Sequence, residues 1–126
     1  MKIIVDTSIW IEFLKGNSLC FTHLQELLEN QNVLTIDCIF AELLQGAKDK
    51  RERDIILAYW NNLPKVEIPD LYVHAGIYSY ENKLISKGIG LIDCAIIISC
   101  HHNKAKIWTL DKKLLNVLQK DEIYVL

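Results

Sequence analysis

The sequence predicts an α/β protein of three layers (α/β/α), in which helices cover both faces of a mostly parallel sheet of about five strands. Short β-branched runs alternate with longer stretches whose apolar residues recur at helical spacing, and such alternation is connected by right-handed crossovers. The chain has 126 residues, 51% of them hydrophobic and 24% charged. We therefore expect one globular domain over residues 1–126 and exclude a disordered chain.

The first elements are a strand and two helices. Residues 2–5 form a β-branched run and predict the first strand. The polar turn Asp6-Thr7-Ser8 follows, and residues 9–14 are a broad apolar stretch closed by Gly16, which predicts a helix. In residues 18–30 apolar positions recur at helical spacing with polar positions between them, as in a surface helix.

The middle of the chain changes from apolar to highly charged. Residues 33–36 predict a second strand, and residues 39–44 predict a short helix that carries Glu42. Residues 48–54 are seven consecutive charged residues, and residues 55–60 are mostly apolar. This order predicts a helix with a solvated start and a packed end.

The second half continues the alternation. Residues 66–68 lie between two prolines and predict a short edge strand. Asp70 is predicted to cap a long helix that ends near Gly88 and buries Leu71, Ala75, Ile77, Tyr78, Leu84 and Ile85. Residues 91–102 are apolar apart from Asp93 and the ends, which is typical of a helix packed on two sides. The remaining elements are predicted as strand 105–110, helix 112–119 and strand 123–126.

Charge and cysteine content narrow the possible functions. Fourteen basic and sixteen acidic residues give a net charge of −2, so a phosphate-bearing partner must meet a local patch or a bound cation. No signal peptide or membrane span is indicated, and we expect a cytoplasmic protein. The chain has no C-x-x-C pair, so we expect reduced core thiols rather than zinc ligands at the four cysteines, Cys20, Cys38, Cys94 and Cys100.

Four carboxylates stand out by their positions. Asp6 and Asp111 each follow a predicted strand directly, so both should project from the carboxyl edge of the parallel sheet. Glu42 comes soon after the second strand and is expected near the same edge. Asp93 lies among apolar residues, but its helix follows another helix, so alternation does not decide at which edge it lies. Each acid alone has an ordinary explanation, as a turn, a helix cap or a solvated helix face.

A shared site for the four acids would need a counter-charge. Two carboxylates about 4 Å apart repel by roughly 4 kcal/mol at an effective dielectric constant of 20. A divalent cation removes this repulsion, and Mg²⁺ or Mn²⁺ prefers carboxylate oxygens while keeping several waters. Such an ion activates a water for attack on a phosphodiester. The acids therefore favour metal-dependent hydrolysis of a nucleic-acid backbone.

Four short blocks carry these acids along the chain. They are Ile3-Ile4-Val5-Asp6-Thr7-Ser8, Ala41-Glu42-Leu43-Leu44-Gln45-Gly46, the stretch 88–99 around Asp93, and Trp108-Thr109-Leu110-Asp111. In order and spacing the blocks resemble a PIN-domain ribonuclease, and specifically the VapC-type toxin of a VapBC toxin-antitoxin pair. The resemblance covers essentially the whole chain.

The resemblance implies a metal-dependent endoribonuclease whose acidic cluster is Asp6, Glu42, Asp93 and Asp111. It implies that Asp6 and Asp93 bind Mg²⁺ or Mn²⁺ directly, while the other two acids complete the site or hold waters. It also implies a cognate VapB-type antitoxin and a toxin homodimer within a larger complex. Three hydroxyls would orient the carboxylates, those of Thr7, Ser8 and Thr109. The same residues fit equally well the ordinary roles of helix caps and strand ends.

Basic and apolar residues give candidate surfaces for the partners. Lys112 and Lys113 adjoin Asp111 and, with Lys104 and Lys106, flank the turn before it, so they are candidate RNA contacts. A second basic group, interspersed with acids, contains Lys48, Lys50, Arg51 and Arg53. The antitoxin groove is predicted at Leu19, Phe21 and residues 55–60.

Two other functions compete with the ribonuclease. One is a receiver-like signalling module, phosphorylated on an acid after a strand; such a module needs an acidic pair there, and Asp6 stands alone. The other is a catalytically silent PIN-fold binding module, which the presence of all four acids disfavours.

Overall fold

A three-stranded parallel sheet and seven α-helices make up the computed structural model, which describes residues 1–126 apart from the side chain of Ser18. The strands are β1 (Ile3–Val5), β2 (Val33–Leu34) and β3 (Lys106–Trp108). The helices are α1 (Thr7–Leu14), α2 (Ser18–Glu29), α3 (Asp37–Gln45), α4 (Lys50–Asn62), α5 (Leu71–Asn82), α6 (Leu91–Asn103) and α7 (Lys112–Val117). Short 3₁₀ turns occupy Ile85–Lys87 and Lys120–Glu122.

The sheet has the order β2-β1-β3, and both pairings are parallel. Ile4 of β1 lies opposite Leu34 on one side and Ile107 on the other. The residues of β1 are at most 1% exposed, although successive strand residues point to opposite faces. Both faces of the sheet are therefore covered, as the α/β/α prediction requires.

The prediction of about five strands is wrong, because the structure has three. Of the two predicted outer strands, residues 123–126 contribute one bridge, Ile123 with Ile107, and residues 66–68 only adjoin one, Lys65 with Thr35. Proline has no N–H to donate to a sheet, and prolines stand on both sides of residues 65–68. At the C-terminal end of the chain, the 3₁₀ turn Lys120–Glu122 comes directly before Ile123, so pairing with β3 begins only at that residue.

Each predicted helix is present, but the long one differs from its prediction. Asp70 has a left-handed backbone, with φ of 55°, and its side chain makes no capping hydrogen bond. Helix α5 ends at Asn82, and a 3₁₀ turn then leads to Gly88. Of the residues predicted to be buried, Ile77 is 50% and Ile85 is 84% exposed.

Helix α6 joins two cores. Its residues Ile96, Ile97 and Cys100 belong to the main core around the sheet, whereas Cys94 and Ala95 pack with residues of α5 and the turn after it. All four cysteines are free and buried, as expected. Among the helices described, none has both the length and the apolar character to span a membrane.

Candidate active site

Asp6 leaves the carboxyl end of β1 and is only 7% exposed. It occupies the N-cap position of α1, yet its side chain makes no capping hydrogen bond. Instead its Oδ2 accepts hydrogen bonds from Thr109 Oγ1 at 2.6 Å and from Ser8 Oγ at 3.0 Å. The usual role of an Asp after a strand therefore does not account for this carboxylate.

The two hydroxyls that bind Asp6 are themselves oriented by the turn after β3. Leu110 N–H donates to Ser8 Oγ, and Asp111 N–H donates to Thr109 Oγ1, each at 3.0 Å. Since each hydroxyl accepts from the backbone, its single proton is available for Asp6. This network ties the end of β1 to the segment that carries Asp111.

Asp111 begins α7 and acts as its cap. Its Oδ1 accepts from the backbone N–H of Lys113 at 2.9 Å and from that of Leu114 at 3.4 Å. These bonds fix the carboxylate at the carboxyl edge of β3. Asp111 thus caps α7 and also lies near the other acids.

Glu42 lies on α3 and is exposed. Its Oε1 accepts a hydrogen bond of 2.9 Å from Thr7 Oγ1, at the first position of α1. The hydroxyl thus links α3 to the loop that carries Asp6.

Asp93 is half-buried in the first turn of α6, and its pKa is raised to about 6. Burial is the main cause, and the charges of Asp6, Asp111 and Glu42 raise it further, while the backbone N–H of Gly90 lowers it. The alternation of strands and helices did not decide at which edge of the sheet Asp93 lies. The structure places it at the same edge as the other acids. Asp93 therefore lies within the electrostatic field of the other three predicted acids.

The acids do not form a ready-made metal cage. Among the described residues, no group of three or more His, Cys, Asp or Glu side chains could hold a metal ion as placed. Mg²⁺ sites commonly use one or two carboxylates and several waters, so they do not require such a cage. The donor set, hard oxygen ligands that repel one another, fits a hydrated divalent cation.

Basic residues lie on both sides of this cluster. Lys112 and Lys113 are exposed in the first turn of α7, and the Lys113 side chain runs beside Gly88, where an added Cβ would lie 3.5 Å from Lys113 Nζ. Lys48 lines a cavity of about 370 Å³ together with Glu42, and Arg51 is exposed on α4.

Two lysines predicted to flank the site turn do not adjoin it. Lys104 precedes β3, and Lys106 is its first residue, opposite Ile3. They lie at the amino end of the strand, whereas the acids lie at the carboxyl end. Proximity along the sequence was misleading here because a strand separates its two ends in space.

Tyr72 is a neighbour of the acids that the sequence analysis missed. Its hydroxyl lies near the thiol of Cys38, which is one helical turn before Glu42. Burial raises the pKa of Tyr72, and Cys38, Asp37 and Glu42 raise it further. The i, i+4 spacing of Cys38 and Glu42 was visible in the sequence, but the partner on α5 was not.

Comparisons with known proteins identify the family of this chain. A family model described as PIN domain matches residues 3–119. The curated protein Ribonuclease VapC32 of Mycobacterium tuberculosis is 30% identical over 116 residues, covering 89% of this chain and 86% of that protein.

Solved structures share the fold at low identity. The VapBC2 complex of Rickettsia felis bound to a promoter DNA fragment matches with a TM-score of 0.72 and 21% identity, covering 98% of this chain and 96% of that one. A toxin-antitoxin complex of Klebsiella pneumoniae matches at 0.75 and 14%, covering 98% and 97%. VapC20 of M. tuberculosis, described as a sarcin-ricin loop cleaving toxin, matches at 0.69 and 16%, covering 91% and 94%. The chain therefore belongs to the PIN-domain family, among the VapC-type ribonucleases.

Proposed function

We propose that the protein is a toxin that hydrolyses RNA phosphodiester bonds with Mg²⁺ or Mn²⁺ and is neutralised by a VapB-type antitoxin. The observation that carries the proposal is the shared field of the four acids, in which Asp6, Asp111 and Glu42 all raise the pKa of Asp93. A divalent cation is the counter-charge that lets all four ionise together.

The resemblance to the PIN-domain family suggests how the residues share the work. Asp6 and Asp93 would bind the cation directly, while Glu42 and Asp111 would complete the site or hold its waters. When bound, the cation would supply an activated water and stabilise charge on the leaving oxygen. Thr109 and Ser8 position the Asp6 carboxylate, and Thr7 positions Glu42, through the hydrogen bonds described above.

The proposal is tested by incubating antitoxin-free protein with total cellular RNA in Mg²⁺, in Mn²⁺ and in EDTA. Discrete fragments that require the metal are expected. Measurable metal binding with no cleavage of any RNA would favour the silent binding module, and absence of metal binding would contradict the assigned site. The receiver-like module is no longer a candidate, because the chain belongs to the PIN-domain family.

We expect Thr109→Val to lower cleavage by about 10–100-fold and Thr109→Ser to retain most of it. Valine removes the hydroxyl that donates to Asp6 and leaves the Asp111 N–H without its acceptor, whereas serine keeps both bonds. The rates are compared at saturating RNA, with thermal unfolding as a check on folding. Loss of cleavage in Thr109→Ser with activity retained in Thr109→Val would show that the methyl packing of Thr109 matters instead of its hydroxyl.

We expect Lys112→Ala and Lys113→Ala each to weaken RNA binding without changing metal binding. If each lysine contacts one phosphate, each substitution lowers the slope of log affinity against log salt by about 0.7 for a single-stranded RNA. Binding is measured in EDTA to prevent cleavage. Lys104→Ala, at the opposite end of β3, is the matched control, and an equal change of slope there would contradict the assignment.

Two exposed apolar surfaces are available for the protein partners. The antitoxin surface lies around α1, α2 and α4, where Leu19 is 66% and Phe21 is 38% exposed, and Phe21 stacks on Phe13 at 4.9 Å. The surface for a second copy of the chain lies at the end of α5, where Tyr80 and Ile85 are 85% and 84% exposed. Large exposed apolar side chains grouped in this way indicate protein contacts.

We expect Phe21→Asp to weaken the antitoxin complex and leave self-association intact, and Tyr80→Asp to do the reverse. A charge buried in an interface without a partner costs several kcal/mol, so the loss of affinity should be at least about 100-fold. Sedimentation of each variant, alone and with antitoxin, measures both equilibria. Each variant serves as the control for the other, and equal effects on both equilibria would contradict two separate surfaces.

A further inference from the structure

A second cavity, of about 640 Å³, opens between the start of α3, the end of α4 and the start of α5. Its lining includes the side chains of Asp37, Trp60, Lys65 and Tyr72, together with Pro69. Trp60 is half-buried and Tyr72 is 40% exposed. Glu67 also lines the cavity, which therefore offers two aromatic side chains, two carboxylates and one ammonium group in a volume that holds a nucleotide.

The cavity adjoins the catalytic acids through α3. Asp37, which lines the cavity, and Glu42 are five residues apart on α3, about 7.5 Å along the axis of a regular helix. This separation is comparable to that between a phosphate and the base of its nucleotide. A base in the cavity would therefore belong to a nucleotide at or next to the scissile phosphate.

The polar groups of the cavity select among the bases. Lys65 Nζ lies 4.4 Å from the centre of the Trp60 ring and donates to the carbonyls of Trp60 and Leu63, so the ammonium is held in place and one N–H remains for a ligand. Asp37 supplies acceptors only. Guanine alone among the four bases places two adjacent donors, N1–H and N2–H, beside an acceptor, O6.

We propose that this cavity is a nucleobase subsite that prefers guanine, with Tyr72 as the aromatic wall on which the base stacks and Asp37 as the acceptor for the base's donor edge. This inference rests on the proposed ribonuclease function, which it extends to a sequence preference at the cut. Single-stranded RNA is commonly recognised in this way, by stacking on aromatic side chains and hydrogen bonds to the exposed base edge.

The test is a titration of ¹⁵N-labelled protein with each of the four nucleoside 5′-monophosphates in EDTA, followed by backbone amide shifts. All four ligands carry the same phosphate, so differences between them report the base. GMP is expected to shift the amides of the cavity at a concentration at least about 10-fold lower than the other three. Asp37→Asn should remove this preference, and Tyr72→Ala should weaken all binding by about 10-fold or more.

Tyr72→Phe keeps the ring and should retain binding, which separates stacking from any loss of folding. Asp54→Asn removes a carboxylate outside the cavity and is the charge-matched control. Equal response to the four nucleotides, or shifts confined to other surfaces, would overturn the proposal. Because the titration needs no cleavage, its outcome does not depend on whether the ribonuclease assignment holds. Where cleavage is observed, mapping the cut sites of Asp37→Asn should show a lost preference for guanine.

Discussion

Asp6→Asn is expected to lower metal-dependent RNA cleavage by at least about 100-fold, since loss of a mere supporting residue at a metal site already costs 10–100-fold. The substitution keeps the size of the side chain but removes its charge. In the unmodified protein the hydroxyls of Thr109 and Ser8 both donate to Asp6 Oδ2. In Asp6→Asn, one orientation of the amide places its nitrogen against these two donors. The other orientation keeps the oxygen there and turns the nitrogen toward the cation side.

The measurement is the initial rate of fragment formation at saturating Mn²⁺, with metal affinity measured separately by titration. Asp54→Asn, an exposed acid paired with Arg53 on α4, carries the same change of charge and should cleave like the unmodified protein. A reduced metal affinity together with a reduced rate would place Asp6 on the cation. Full activity of Asp6→Asn would contradict the assigned site.

The sequence predicted the positions of two of the four acids, Asp6 and Asp111, because both come after strands. Asp6 and Asp111 directly follow, or nearly follow, parallel strands, and the carboxyl ends of such strands meet at one edge. No equivalent rule applies to Asp93, because α6 is preceded by α5 and a 3₁₀ turn. Its place depends on the packing of α5 against α6, which is a long-range property that periodicity does not report.

The errors in the fold have a related cause. Apolar runs at residues 66–68 and 123–126 have strand-like composition, but pairing depends on available N–H donors and on neighbours, and only one bridge forms in or beside each segment. Ile77 and Ile85 are apolar yet exposed. Their burial was predicted wrongly because a sequence pattern does not distinguish an apolar surface that packs inside the chain from one that contacts a partner. Tyr72 was missed for the same reason, since its neighbour Cys38 lies on a different element.

Asp93→Asn is expected to make the metal-free protein more stable at pH 8 while abolishing cleavage. The folded state raises the pKa of Asp93 from 3.8 to about 6, so between these values the folded protein holds more protons than the unfolded chain. Stability therefore falls as pH rises through this window, and the penalty is complete above about pH 6. Asparagine carries no charge, so the variant does not lose stability in this way.

The expected difference is about 1–2 kcal/mol at pH 8, because one pKa unit corresponds to about 1.4 kcal/mol and solvent screens a half-buried carboxylate. For a chain of this length that is roughly 3–10 °C in Tm. Thermal unfolding in EDTA at pH 4 and pH 8 measures it, and the two proteins should coincide at pH 4. A difference that does not change with pH would mean that altered packing, and not charge, is responsible.

Addition of Mn²⁺ or Mg²⁺ at pH 8 should reverse the order of the two proteins. A cation that binds only the folded state stabilises it by an amount set by its concentration and affinity, and the intact carboxylate cluster has the higher affinity. The unmodified protein should therefore gain stability, while Asp93→Asn should gain little. In the proposed site the carboxylates that repel one another without metal are the ones that would hold the cation, so Asp93→Asn is expected to gain stability and lose catalysis together. An equal response of both proteins to the metal would remove Asp93 from the cation site.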